Sequence, residues 1–209
     1  LTFRLSLMLG MAAAAGLFVM VDLVNKLLFT NASGSNALQI LMISILFYSL
    51  MMTGMFVLQS LGNNMISILF ICIGLIIKFI LMIILIPKMQ IVGAAISTTA
   101  CFVVMALLVL VYVRKIIKKP MIIGKTFLVI VQSAFIMSVV LYVERLIFAI
   151  VMDPVSSDRL VLAFQVFTMV ASGALVYLYY VIRRGVFSVE ELALLPFGSK
   201  MAKFLPKDK

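Results

Sequence analysis

Six runs of mostly apolar residues follow one another with only short polar breaks between them. They cover residues 5–29, 37–61, 65–86, 91–113, 127–151 and 160–182. About 20 apolar residues in an α-helix, at about 1.5 Å each, match a hydrocarbon core of about 30 Å. Inside lipid every backbone N–H and C=O must be satisfied within the segment, so each run is predicted to cross the bilayer as a helix. The expected fold class is all-α, a polytopic membrane bundle of six transmembrane helices. With 66% hydrophobic and 11% charged residues, the chain is far from the about 45–50% and about 25% of soluble domains. Disorder requires low hydrophobicity and high charge, the reverse of what is found. An outer-membrane barrel requires short alternating segments, and these runs are continuous.

The breaks carry turn chemistry. Residues 30–36 read Thr-Asn-Ala-Ser-Gly-Ser-Asn, a polar loop, and Gly62-Asn63-Asn64 reads as a tight turn. Pro87 is expected to end the third span, because proline cannot continue the helical hydrogen-bond ladder. Lys118-Lys119-Pro120 and residues 153–158 (Asp-Pro-Val-Ser-Ser-Asp) make the remaining separations.

Basic residues then set an orientation. With six crossings, one side of the membrane receives Arg4, then Arg114, Lys115, Lys118, Lys119 and Lys125, and finally Arg183, Arg184, Lys200, Lys203, Lys207 and Lys209, which is twelve of the 17 Lys and Arg residues. The opposite loops hold only Lys88 and Arg159, beside Asp153 and Asp158. Under the positive-inside rule the basic side is cytoplasmic, and both ends of the chain lie there. The net charge of +10 is thereby accounted for by topology, with no nucleic-acid partner. After residue 182 the chain becomes mixed. Ser188-Val189-Glu190-Glu191 has capping-box spacing, and Lys200–Leu205 alternates basic and apolar residues, so 185–209 is expected to form an amphipathic cytoplasmic tail, either along the inner membrane surface or solvated with no partner.

Charge within a span costs about 2.5–3.5 kcal/mol per residue on insertion scales, so each case requires a reason. Lys78 lies eight residues before the outer end of the third span; Asp22 and Glu144 each lie seven before theirs. All three fall about 10–12 Å from those ends, a depth at which a lysine and two carboxylates can pair across helices. Asp22 and Lys26 are also i, i+4 neighbours with the acid first. Two readings follow: structural ion pairs with Lys26 and Arg145 snorkelling outward, or a polar cavity lining in which Lys78, Asp22, Glu144 and Lys26 contact an anionic headgroup or an ion. Lys78 has no partner on its own helix, which leaves both readings open for it.

Small residues line the first span (Gly10, Ala12 to Ala15, Gly16) and the fourth (Gly93, Ala94, Ala95, Ser97, Thr98, Thr99). Such faces let helix backbones approach closely. Gln59, Gln132 and Gln165 are weaker candidates for a polar lining. The chain has no His and two Cys, Cys72 and Cys101, both within apolar runs. These are expected to be buried reduced thiols, and no metal site is expected. No phosphate-binding glycine loop or nucleophile elbow is present, so no catalytic residue and no cofactor is expected.

Three motifs in order, LQSLGNN (58–64), KFILMIILIP (78–87) and IVGAAISTT (91–99), resemble the polysaccharide-exporter branch of the multidrug/oligosaccharidyl-lipid/polysaccharide exporter superfamily, which includes MurJ-type lipid II flippases and the stage V sporulation protein B group. LLF at 27–29 and LPFGSKMAKFLPK at 195–207 are similar to Gram-positive members. One departure is Leu81-Met82, where the family often has Leu-Asn, so a polar lining group is missing there. In this resemblance Gly62, Pro87 and Gly93 mark the turn and packing motif.

The resemblance implies a fourteen-helix transporter, not an enzyme, of which this chain is the C-terminal part. Residues 1–114 would be four helices of the second lobe, 115–184 two additional helices bordering a groove for a lipid tail, and 185–209 the tail. The missing N-terminal half of the same transporter would supply the rest of the substrate site. The expected function is translocation of lipid II or a related polyprenyl-linked glycan across the bacterial cytoplasmic membrane during peptidoglycan and cell-wall synthesis. Alternatives on the same fold are export of teichoic-acid or capsule precursors and drug antiport. An alternative of another class is a non-transporting scaffold for division or wall-synthesis enzymes.

Overall fold

A computed structural model of the chain describes residues 2–28, 34–117, 124–151, 159–184 and 186. Its regular structure is entirely helical among these residues: α1 (Thr2–Leu28), α2 (Ser35–Ser60), α3 (Asn64–Ile117), α4 (Gly124–Val151) and α5 (Arg159–Arg183). Each contains a segment long and apolar enough to cross a membrane. The chain divides into two compact units, Thr2–Met121 and one running from Ile122 onward.

Among the described residues five helices stand where six spans are expected, because the third and fourth runs are joined in α3, 54 residues long. That element is not straight. Gln90 has φ 49° and ψ −122°, outside helical geometry, and the chain reverses there. The rings of Phe70 and Tyr112 meet edge-on with centroids 5.7 Å apart, whereas a straight helix would separate them by about 63 Å. Pro87 does not end the first arm as expected: helix continues through it to Met89, and the break falls on Gln90. The reversal consumes no loop residues, so helical structure runs up to it from both sides.

In the first unit, α1 and α2 pack antiparallel. Ser6 Oγ donates to the Ser49 carbonyl at 2.8 Å, and Ser49 Oγ lies 3.3 Å from the Ser6 carbonyl. A Cβ on Gly10 would run into the Ser49 side chain, so the glycine permits this approach. The second arm of α3 lies parallel to α2. Tyr48 and Phe102 rings are 5.2 Å apart, and Thr99 Oγ1 is 3.3 Å from the Ile40 carbonyl. Gly54 faces Val109, with Phe3 of α1 beside it. The buried face of that arm is a ridge at every fourth residue: Gly93, Ser97, Cys101, Met105, Val109 and Val113, an i±4n row of the kind that seats in a neighbour's groove.

The first arm buries little beyond Ser67, Phe70 and Gly74. Its other faces carry exposed Leu75, Phe79 and Ile83, among others. A solvent-exposed apolar surface of this extent would aggregate in water; against lipid tails it carries no such penalty. Cys72 lies two residues past Phe70, away from the buried stripe, and is exposed, so only Cys101 fulfils the expectation of a buried thiol.

In the second unit, α4 and α5 form an antiparallel pair. Ile130, Ala134, Met137 and Leu141 from α4 and Met169, Gly173, Tyr177 and Val181 from α5 are the buried seam. Gly173 sits against the Leu141 side chain, where a Cβ would come within 3.1 Å.

Candidate functional site

Lys78 is carried on the first arm of α3, the most apolar stretch of the chain. It lies 12 residues before Gln90 and 14 after Asn64, about 18 Å and about 21 Å along the helix. Because helix continues past Pro87, Lys78 is deeper along its own arm than the sequence places it, close to the midpoint. Its side chain is half-buried. Among the described residues it makes no hydrogen bond or ion pair. An ammonium at this depth retains most of its hydration cost unless an anion or water reaches it.

The reversal that positions Lys78 depends on Gly93. A Cβ there would lie 2.5 Å from the Leu85 carbonyl oxygen and 3.0 Å from the Ile86 nitrogen. These are backbone atoms, which cannot step aside as a side-chain tip can. At the other end of the arm, Gly62 caps α2 with φ 78°. Asn63 N donates to the Leu58 carbonyl at 2.9 Å and Gly62 N to the Gln59 carbonyl at 3.0 Å, the paired bonds of a Schellman motif, which requires a residue at positive φ. Gly62 and Gly93 thus bracket the arm that carries Lys78, and Pro87 lies within its last turn. Ser67, on its buried stripe, has a hydroxyl with no hydrogen-bond partner among the described residues.

Asp22 is half-buried on α1 and interacts with a neighbouring group, and Lys26 is exposed in the last turn. Between them, buried Asn25 donates to Ser35 Oγ at 2.8 Å, tying the end of α1 to the start of α2. Glu144 belongs to the second unit. It is half-buried, and its carboxylate Oε2 accepts a hydrogen bond from Ser172 Oγ at 2.5 Å, across the α4–α5 seam. Ser172 Oγ also lies 3.1 Å from the Met169 carbonyl. Arg145 is half-buried and has an interaction of its own. Of the three candidate lining glutamines, Gln165 is buried, while Gln59 and Gln132 are exposed. The tail at 185–209 lies, apart from Val186, outside the described residues, as do the loops at 118–123 and 152–158.

Two features escape the sequence reading. Ser172 is one hydroxyl among many, and only the antiparallel register of α4 and α5 singles it out. Tyr179–Arg183 and Tyr180–Arg184 carry a legible i, i+4 signal, and in the structure each arginine is hydrogen-bonded to its tyrosine.

Comparison with known proteins places the chain among membrane proteins. It is 34% identical over 204 residues to the uncharacterized membrane protein YabM of Bacillus subtilis, a match covering 98% of this chain and 38% of YabM. It is 30% identical over 115 residues to the uncharacterized membrane protein MJ1068 of Methanocaldococcus jannaschii, covering 55% of this chain and 23% of that protein. The chain therefore spans well under half the length of the curated relatives it matches. No family model and no solved structure matches it. With five long apolar helices among the described residues, all of whose regular structure is helical, and with these relatives, the chain is a multi-pass membrane protein with a helical bundle fold.

Proposed function

We propose that this chain is the C-terminal portion of a flippase that moves a lipid-linked cell-wall precursor, lipid II or a related polyprenyl-linked glycan, across the bacterial cytoplasmic membrane by alternating access. In this reading α3 crosses twice, so the chain crosses six times, with Gln90 at the outer face and both ends inside. Antiparallel packing of the two arms supports the double crossing. The excess of Lys and Arg at the opposite ends of the helices supports the orientation. The length of YabM, and the order of the motifs at 58–64, 78–87 and 91–99, support assignment to one part of a longer transporter.

The observation that carries the proposal is Lys78: an ammonium midway along a lipid-exposed arm, half-buried, with no hydrogen bond or ion pair among the described residues. A structural lysine at this depth would be expected to have a carboxylate beside it. One that serves a passing anionic headgroup must be unsatisfied when the cargo is absent. The glycan headgroup would cross in a polar cavity while the polyprenyl tail remains in lipid, and no covalent bond would change. The transmembrane potential offers about 2.3 kcal/mol per charge moved per 100 mV, enough to bias such an equilibrium.

The test is Lys78→Ala and Lys78→Arg in the full-length protein, with abundance monitored and precursor translocation followed in proteoliposomes. Loss of translocation in the alanine variant, with partial recovery in the arginine variant, is the expected result. Unchanged translocation in Lys78→Ala removes the residue from the mechanism and the main support for the reading with it.

A further inference from the structure

Two tyrosine–arginine pairs close the described part of α5. Tyr179 and Arg183 are four residues apart, as are Tyr180 and Arg184, so each arginine stands one turn beyond its tyrosine on the same face. Arg183 Nη1 donates to Tyr179 Oη at 2.8 Å, and its guanidinium carbon lies 5.8 Å from the ring centroid. Arg184 Nη2 donates to Tyr180 Oη at 2.9 Å, with the carbon 5.3 Å from the ring. An exposed arginine normally samples many rotamers. Here a hydroxyl and a ring face restrain each one, and two such groups occur at consecutive positions, about 1.5 Å apart in level.

Each guanidinium has five N–H donors and commits one to its tyrosine. Both arginines are exposed, and among the described residues no carboxylate takes the remaining donors. The pairs sit where the apolar run of α5 gives way to charge, and tyrosine favours this level because its ring is apolar and its hydroxyl wet. The ligand that fits restrained, partly free guanidinium groups at a lipid boundary is a phosphate oxyanion. The geometry points to a headgroup site for an acidic phospholipid, built from Tyr179, Tyr180, Arg183 and Arg184. Charge complementarity selects an acidic lipid over a zwitterionic one, whose own ammonium cancels its phosphate. The site requires only that this end of α5 reaches a membrane surface. It does not depend on what cargo is moved or on which face is cytoplasmic.

The experiment uses the full chain in nanodiscs of phosphatidylcholine doped with phosphatidylglycerol, with co-released lipids counted by native mass spectrometry. Wild type is expected to retain phosphatidylglycerol in preference to phosphatidylcholine. R183Q/R184Q should reduce that preference by about fivefold or more, and R183K/R184K, which keeps charge without the planar fork, should lie between. Y179F/Y180F keeps ring and charge and removes only the hydroxyl; it should lower the preference by about twofold. Melting in detergent reports whether each variant remains folded, and the lysine variant retains a readout if the glutamine variant unfolds. Equal retention by wild type and a folded R183Q/R184Q overturns the site. An unchanged preference in Y179F/Y180F overturns the role of the tyrosines, and displacement of the lipid by millimolar inorganic phosphate overturns assignment to a lipid headgroup. Failure here leaves the Lys78 translocation assay untouched, so the two proposals stand or fall separately.

Discussion

Gly93 lies against the backbone of Leu85: a Cβ on the glycine would stand 2.5 Å from the Leu85 carbonyl oxygen. The two arms of α3 approach there too closely to admit a Cβ without a backbone shift, three residues beyond the reversal. Gly93→Ala is therefore expected to destabilise the hairpin by at least the about 1–3 kcal/mol typical of overpacking, since backbone rather than a side chain would have to yield. The measurement is the melting temperature in detergent, with Gly34→Ala as control, because nothing lies within 4 Å of a Cβ at Gly34. A Gly93→Ala variant as stable as the control would contradict the close approach.

Gln90 is the opposite case, a residue with a Cβ in a conformation that favours glycine. Holding a non-glycine residue in a sparsely populated region costs about 1–3 kcal/mol. Gln90→Gly should raise the melting temperature, and Gly62→Ala, which imposes the same strain at φ 78°, should lower it. Opposite signs from two exchanges at the two ends of one arm are the expected signature.

The Ser172–Glu144 hydrogen bond joins α4 to α5 within the apolar seam. Ser172→Ala leaves the carboxyl without this donor, at a cost of about 1–3 kcal/mol. Glu144→Gln should be milder, because the amide oxygen still accepts from the serine. A double-mutant cycle in detergent should give a coupling of about 0.5 kcal/mol or more; additive effects would mean that the bond is not made in the folded protein.

Topology is open to direct labelling. In a full-length background with Cys72, Cys101 and every cysteine outside this chain replaced, a cysteine replacing Lys88 should react with an impermeant thiol reagent added to intact cells. One replacing Asn63 should react only after permeabilisation. Labelling of both positions from the same side would exclude the double crossing of α3.

What the sequence displays is the part of the fold governed by length and by turn chemistry. Apolar runs of bilayer length appear as helices, and Gly62-Asn63 appears as a cap because positive φ selects glycine. The partners of helices are much harder to read. In a soluble helix the core face is apolar and the outer face polar, but here exposed Phe79 and Ile83 are as apolar as buried Phe70. Periodicity then carries almost no directional signal, and for this reason Cys72 passed for a buried thiol. The candidate site divides in the same way. That Lys78 lies deep within a span is plain from its apolar surroundings. That Ser172 meets Glu144 depends on a register between α4 and α5 that no local pattern encodes. Pro87 misled because a helix can run a turn past its proline before the backbone turns.

The reversal at Gln90 has a mechanical corollary. The proposed alternating access needs some elements to slide and others to move as one, and ordinary spans are tethered by loops with slack. Here there is none: arms 64–89 and 91–117 meet at a single residue, and Gly93 clamps them just beyond it. In the proposed transporter, arms joined so directly would tilt together, carrying Lys78 with them. In that proposal, movement of the ammonium would be geared to both arms and not to one helix alone.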